Sequence, residues 1–378
     1  MANSQDTVLI SGGGISGLTL ACALRRHDIP VELVERKSDL SDDGGVGLSL
    51  VGNALRALDS IGIARALIAL GLPADHLEIA TPEGRVVARS STDEQWGDGI
   101  PGHCSISRPA LHRLLAERAR NAGVRIRTGL SIASSTPVGD CVEVGFSDGG
   151  SARYRLCVAA EGLHSATRER LFPGLHPAHS GQACWRARVP RPAGLLTTRI
   201  HFGGRLGVVG ICPISRDDAY LYVVEAADAR HREDETRTHL ALRERLTGHY
   251  GGLVADLLEH LTDPAQVSYR PLPVFLLPAP WYRDGVVFIG DAAHANPPVL
   301  AQGAAMGIED AVVLAEELAS APASLDAALA VFMARRFERV RNVVETSRDL
   351  ARWQVEQRRD VDIGGTMKRV AVALTAPI

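Results

Sequence analysis

The chain has 378 residues, 46% of them hydrophobic and 22% charged, and 41 Lys and Arg set against 44 Asp and Glu give a formal net charge of −3. That length accommodates one large or two intimately joined domains around a buried core. The near-balanced charge lacks the basic surface that nucleic acid or an anionic membrane selects, so a small molecule is the default partner.

The N-terminal MANSQD is polar and leads straight into TVLI, without the basic and apolar regions of a secretory signal. No run reaches the roughly 18 apolar residues of a membrane span, and the expectation is a cytoplasmic protein. Six cysteines (Cys22, Cys104, Cys141, Cys157, Cys184, Cys212) are scattered without a CxxC and read as reduced thiols. The 13 histidines form no HExxH, and no metal is expected.

In chain order, Thr7–Ile10 is a short aliphatic run followed by SGGGISG, with Gly12, Gly14 and Gly17 in GxGxxG spacing around Ile15 and Ser16. The helical LTLACALRR comes next, and Pro30 then opens VELVE, a strand that ends at Glu35 before Arg36. A lone GxGxxG is weak evidence. Strand, glycine turn, helix, strand and acidic end together form a dinucleotide-binding unit. Its glycines permit a tight turn and close approach to a pyrophosphate at the helix N-terminus, and Glu35 can accept bonds from ribose hydroxyls. The bland alternative is a glycine turn beside a surface Glu, which would need all five features to coincide.

Beyond this unit the βα alternation stops. DGGVGLSLVGNALRAL places glycines before a helix that begins near Asn53, and HLEIA, PEG and RVVARS read as a hairpin. HCSISR is a strand, Arg108-Pro109 starts a helix, and VRIRT, CVEVGF and YRLCVAA read as a β-meander. From Cys184 to Ala226 the runs CWRARV, TTRIHF, LGVVGICPI and AYLYVVEA predict an antiparallel sheet, followed by helices within roughly 233–261. VVFIGDAAHANPPVLAQGAAMGIED is a strand, an acidic turn, a proline-stiffened loop and a helix start, suited to close approach by a bulky ligand. From Ser324 one long amphipathic helix is expected, with Val331, Phe337, Val340, Val344 and Trp353 inward and its arginines on a solvated face.

GGGISG with Glu35, AEGLHSATR at 160–168 and GDAAHANPPVLAQGAAMGIEDA resemble, in this order, the class A flavoprotein monooxygenases, the aromatic hydroxylases with the p-hydroxybenzoate hydroxylase fold. The resemblance spans almost the whole chain. It implies an α/β protein: a Rossmann-like FAD-binding domain with a β-meander (1–75, 101–175 and 275–325), interleaved with an antiparallel-sheet substrate domain (76–100 and 176–274), and a C-terminal helical segment (326–378).

By the same resemblance, FAD is bound by Gly12, Gly14, Ile15, Ser16, Gly17, Glu35, Arg36 and Arg108, with Val46, Gly47 and Ser49 beside the flavin ring. Asp291 holds the ribityl region, Gln302, Gly303 and Ala304 present side-chain and backbone N–H groups, and Pro298 stands over the flavin. NAD(P)H serves as transient reductant, and oxygen passes through a flavin hydroperoxide to a small aromatic or N-heteroaromatic, phenol-like substrate. The alternatives are oxygenation of a polyketide-like ring or a nitrogen, or a flavin holder without turnover. The candidates for handling substrate are Arg186 for a carboxylate, His201 or Tyr222 for a phenolic proton, and Ser49. No nucleic acid, membrane or metal is implied, and the protein is expected as a monomer or homodimer. The sequence departs from the family pattern at Glu161, where Asp is usual, and at Ala301, where Gly is usual.

Overall fold

The computed structural model describes residues 6–40, 45–92, 96, 99–320 and 324–378. Gly44 of the expected glycine loop lies outside the described residues. A six-stranded sheet runs in the order Tyr282–Arg283, Val286–Phe288, Leu156–Ala159, Val8–Ser11, Val31–Glu35 and Arg125–Thr128, parallel except for the first, outer strand. Val8–Ser11 and Leu156–Ala159 are buried along their whole length, as expected of parallel strands covered on both faces. The helix Ile15–Arg26 crosses the sheet and packs against two further helices, Arg108–Asn121 and Gly303–Ser320.

Ile132–Val138, Cys141–Phe146 and Ser151–Tyr154 form the antiparallel meander; VRIRT is not its first strand, because Arg125–Thr128 pairs in parallel with Val31–Glu35 and Ile132–Val138 takes that place. The run YRLCVAA is not one strand. Tyr154 ends the meander, whereas Leu156–Ala159 enters the parallel sheet beside Val8–Ser11. A change of partner sheet within one apolar run leaves no mark in its hydrophobicity.

The second large sheet has eight strands in the order His294–Ala295, Val267–Leu276, Ala178–Pro190, Asp218–Ala226, Gly207–Pro213, Arg199–Gly204, His76–Ala80 and Val86–Ser91. The last two are the expected hairpin. Strand alternation gives this sheet two different faces. Trp185, Val209, Ile211, Leu221 and Val223 pack against Leu242, Leu246, Val254 and Leu257 in a separate core. Cys184, Arg186, Tyr220 and Tyr222 lie on the opposite face, against a cavity. A three-stranded sheet, Gly47–Val51, His103–Ser107 and Leu72–Ala74, lies at one side of that cavity.

The long helix expected from Ser324 is present as Leu325–Val355, and a second helix that the sequence did not indicate, Ile363–Thr375, follows it. The inward face of the longer helix also differs from expectation. Val331 is 45% exposed and Phe332 is buried, and Arg336, assigned to the solvated face, is fully buried. The shorter helix is held by its C-terminal carbonyls: Arg56 donates to Thr375 and Ala376, and Arg339 donates to Leu374. Among the described residues no helix is long and apolar enough to cross a membrane.

Candidate active site

A cavity of about 390 Å³ opens at the glycine turn, lined by Gly12, Gly13, Gly14, Glu35, Arg36, Arg108, His112 and Glu161 among others. The turn is closed by backbone contact. A Cβ at Gly12, where φ is +112°, would lie 2.3 Å from the Ala160 carbonyl oxygen, and one at Gly17 would lie 2.0 Å from the Gly12 carbonyl oxygen. At Gly14 a Cβ would meet nothing within 4 Å, so open space lies directly over the helix N-terminus, whose first amides have no intrahelical acceptor. Glu35 shapes the turn from the other side, accepting from the Gly13 amide (2.7 Å) and the Lys37 amide (2.9 Å). The side chains of Ile15 and Ser16 point away from the cavity. Ile15 is buried in the core, and Ser16 Oγ fills the space that a Cβ at Gly290 or Gly307 would need.

Glu161 faces inward across its whole carboxylate. Oε1 accepts from Ser11 Oγ (2.7 Å) and Thr167 Oγ1 (2.7 Å), and Oε2 accepts from Ser165 Oγ (2.6 Å) and the Thr167 amide (3.0 Å). The carboxylate thus ties the first strand to the start of the helix Ala166–Leu171. Arg168 of the same motif is buried, donates to the carbonyls of Leu163 and Ala292, and lies 4.5 Å over the Phe275 ring.

Between this cavity and the eight-stranded sheet stand Arg108, the segment 45–47 and Asp291. The Arg108 amide donates to the Val46 carbonyl (3.3 Å), and the Arg108 side chain occupies the space beside Gly45. Asp291 is open to water, yet protein walls it in on most sides. That desolvation raises its carboxyl, against the pull of His294 and Arg108.

The loop 290–302 rests on a buried polar network. Asp310 accepts from the Gly290 amide (3.0 Å), His294 Nε2 (2.6 Å) and Arg336 Nε (2.8 Å). Glu309 accepts from Arg336 (2.5 Å), Arg339 (2.8 Å) and Asn53 (2.8 Å). Asn53 in turn exchanges amide hydrogen bonds with Gln302 (3.0 and 3.2 Å). Burial alone would raise the Asp310 carboxyl, but the charges of His294 and Arg336 and the bonds from His294 and Gly290 bring it down to about 2. None of the Arg336, Glu309 or Asp310 side chains reaches solvent.

A second cavity, about 270 Å³, lies between this loop and the polar face of the large sheet. Pro298, Ala301, Gly303 and Ala304 line it from the loop side, Gly47 and Ser49 from the small sheet, and Arg186 and Tyr222 from the large sheet. His201 does not reach it. Ile200 and Phe202 take the cavity side of that strand, and His201 turns to the other core, fully buried, with Nδ1 bonded to the Thr81 carbonyl (2.9 Å) and its ring 6.4 Å from Tyr250. Its assignment as a substrate base is therefore corrected; burial also lowers its basicity.

Sequence reasoning missed Tyr220, Asn296, Gln354 and Met367 in the lining. Tyr220 could have been found from its two-residue spacing to Tyr222. Met367 carries no local signal, because a C-terminal helix brings it there. Behind Ser49 lies a buried polar line: Cys212 Sγ is 3.5 Å from Ser49 Oγ and 3.0 Å from Ser105 Oγ, which is 3.4 Å from His103 Nε2. Burial lowers His103 to about 4, so this imidazole is neutral at ordinary pH.

The profile of the family described as "FAD binding domain" matches residues 5–347. The chain is 34% identical over 322 residues to 2-heptyl-3-hydroxy-4(1H)-quinolone synthase of Pseudomonas aeruginosa, which covers 84% of this chain and 81% of that protein. It is 30% identical to 3-amino-4-hydroxybenzoate 2-monooxygenase PtnB3 of Streptomyces platensis, over 92% and 88% of the two chains. In fold it is similar to Klebsiella pneumoniae HpxO complexed with FAD and uric acid, with a TM-score of 0.83 at 23% identity, over 98% and 97% of the two chains. The chain belongs to the FAD-binding family of flavoprotein monooxygenases.

The first cavity fits the nucleotide half of the family's FAD. It has open space over a helix N-terminus for an anionic pyrophosphate, and a carboxylate, Glu35, at the far end of the second strand. Gly303 and Ala304 sit at the start of the helix Gly303–Ser320 and face the second cavity, where backbone donors can meet a flavin ring. Gln302 departs from expectation. Its side chain is buried and bonded to Asn53, so it supports the loop instead of presenting its amide to FAD. Ala301 takes φ +54°, ψ +27°, the left-handed conformation that explains why glycine is usual there.

Proposed function

We propose that this monooxygenase hydroxylates a small aromatic or N-heteroaromatic, phenol-like ring held in the 270 Å³ cavity, with NAD(P)H and dioxygen as co-substrates. The observation that carries the reading is the position of that cavity, walled on one side by Pro298, Ala301, Gly303 and Ala304 and on the other by Arg186, Tyr220 and Tyr222. A planar ring fits between the two walls, beside the flavin ring that the Gly303 and Ala304 backbone would meet. The named activities of the quinolone and aminohydroxybenzoate relatives support the same substrate class. FAD, when bound, supplies the electron transfer and oxygen activation that no side chain provides.

The chain's own groups then bind, orient and exclude water. Pro298 covers the ring, and the apolar side chains of Val299, Ile200 and Val224 keep the site dry. Burial pushes the Tyr222 hydroxyl up, so it stays protonated and acts as a hydrogen-bond donor to a substrate oxygen. Ser49 lines the same cavity, and its hydroxyl would accept a phenolic proton in a hydrogen bond.

The test is a panel of hydroxybenzoates, hydroxypyridines and 4-quinolones scored for accelerated NAD(P)H oxidation, with products identified by mass. A gain of one oxygen atom in at least one ring is expected. Hydrogen peroxide as the sole product across the panel would sink the reading. Tyr222→Phe is expected to lower kcat/KM about tenfold, the cost of one neutral hydrogen bond to the reacting ring.

A further inference from the structure

The sheet wall of the second cavity is built of three rows, each running across neighbouring strands. In the first row Cys212 faces Tyr220. In the second, Ile200, Gly210, Tyr222 and Arg186 face one another in turn. In the third, Val208 faces Val224 and Val224 faces Cys184, and Phe202, two residues on from Ile200, extends the row on the next strand. The first row lies beside the segment 47–49, where the flavin ring is expected. Cys212 Sγ is 3.5 Å from Ser49 Oγ, and a Cβ on Gly47 would lie 3.3 Å from Tyr220 Cβ. Residues two apart on a strand are separated by about 7 Å, so the third row stands about 14 Å along the sheet from the first.

The rows differ in chemistry. The first two carry the hydroxyls of Tyr220 and Tyr222 and the guanidinium of Arg186. The third presents Phe202, Val208, Val224 and a thiol, with no hydroxyl, amide or charge. Phe202 is 39% exposed, the only aromatic side chain among the exposed large hydrophobics of the described residues. It lines the cavity, so its open surface marks the mouth, and an apolar surface left open there is a contact surface for a ligand. One substituted aromatic ring spans a single row spacing. Held with its hydroxyl between Ser49 and Tyr222, such a ring covers the first two rows and leaves the third bare.

We propose that the substrate carries an apolar substituent on the side of its ring away from the flavin, an unbranched chain of roughly five or six carbons that covers the third row, and that Phe202, Val208 and Val224 seat it. The inference rests on the hydroxylase reading of this cavity, and it narrows the substrate class from bare phenol-like rings to alkylated ones. A bare ring is held by its polar end alone. Each methylene laid on the third row leaves water for an apolar surface.

The experiment uses the FAD-loaded protein without NAD(P)H and reads binding, by calorimetry and by perturbation of the flavin spectrum. Phenol and 3-alkylphenols up to 3-nonylphenol are titrated, with 3-substituted phenols bearing polyether tails of equal length as comparators. Affinity is expected to rise about two- to fourfold per methylene and to level off beyond roughly five or six carbons, where the chain passes Phe202 into water. The polyether tails should bind on the order of tenfold more weakly than the alkyl tails of the same length. Combining Phe202→Ser with Val208→Thr should cut the total gain from phenol to 3-pentylphenol by on the order of tenfold. Leu240→Ser, at an equally exposed apolar residue outside the cavity, should leave that gain as it is. Affinity that is flat or falls with chain length, polyether tails as good as alkyl ones, or the full gain persisting in a folded, FAD-loaded double variant would overturn the proposal. Should the double variant lose its FAD, the wild-type series of alkyl and polyether tails decides by itself. Alkylphenols that bind with the expected gain but yield only peroxide once NAD(P)H and oxygen are supplied would remove the hydroxylase reading and leave the apolar seat standing. Short phenols hydroxylated with no gain from chain length would do the reverse.

Discussion

At the nucleotide end of the cofactor cleft, the chain is held mainly by its own backbone, Gly12 against Ala160 and Gly17 against Gly12, with one side chain, Glu35, accepting from the Gly13 amide. At the loop 290–302 the same task falls to side chains from four separate segments, Asn53, His294, Glu309–Asp310 and Arg336–Arg339. The first arrangement has no room for an added carbon at Gly12 or Gly17 and uses a single charged group, Glu35. The second tolerates local backbone change but depends on every charge being met, because one unpaired ion inside it is left in a dry interior. Two halves of one binding cleft therefore fail in different ways.

The largest expected effect is at the charged end. Arg336→Met leaves Glu309 and Asp310 buried with one cation fewer and should cost about 3–5 kcal/mol, read by denaturant unfolding of the FAD-loaded protein. A cost under about 1 kcal/mol would mean that the network is not what supports the loop. Gly17→Ala should cost about 1–3 kcal/mol and empty the purified protein of flavin absorbance, since the new methyl must displace the Gly12 carbonyl.

Acid should also separate the two ends. The folded Asp310 carboxyl, at about 2, lies below its unfolded value of ~3.9, so its stabilisation is complete above about pH 5 and disappears as pH falls toward 2. Stability measured between pH 5 and 3 should fall less steeply in Asp310→Asn than in the wild type, and equal slopes would argue against this carboxylate as a source. The smallest effect is expected at Ala301, where glycine relieves a left-handed alanine at some cost in unfolded-state entropy. Ala301→Gly should gain no more than about 1 kcal/mol in a thermal melt.

The same contrast explains what could be read in advance. The glycine turn, Glu35 and the hairpin at 76–91 are local, and local spacing specifies them. Arg336 was unreadable, because a helix rich in arginine looks solvated until its partners, 26 and 27 residues away, are known. His201 failed for another reason. Both faces of its strand are covered, one by the cavity and one by the core around Tyr250, so alternation gives the period without saying which phase meets ligand. Glu161 was legible as a departure from the family, but its four donors, drawn from three residues, could be seen only once the first strand and the helix at 166 were brought together.

The packing of the helix Ile15–Arg26 against Gly303–Ser320 also has a consequence during synthesis. At ordinary translation rates of about 5–20 residues per second, the first helix waits on the order of 15 to 60 s for the segment that covers it. Throughout that interval Leu18, Leu20 and Leu24, all fully buried in the finished protein, belong to a half-built core. The nucleotide turn is thus the first part of the site to be made, and the helix behind it lacks its Gly303–Ser320 partner until the last fifth of the chain is synthesised.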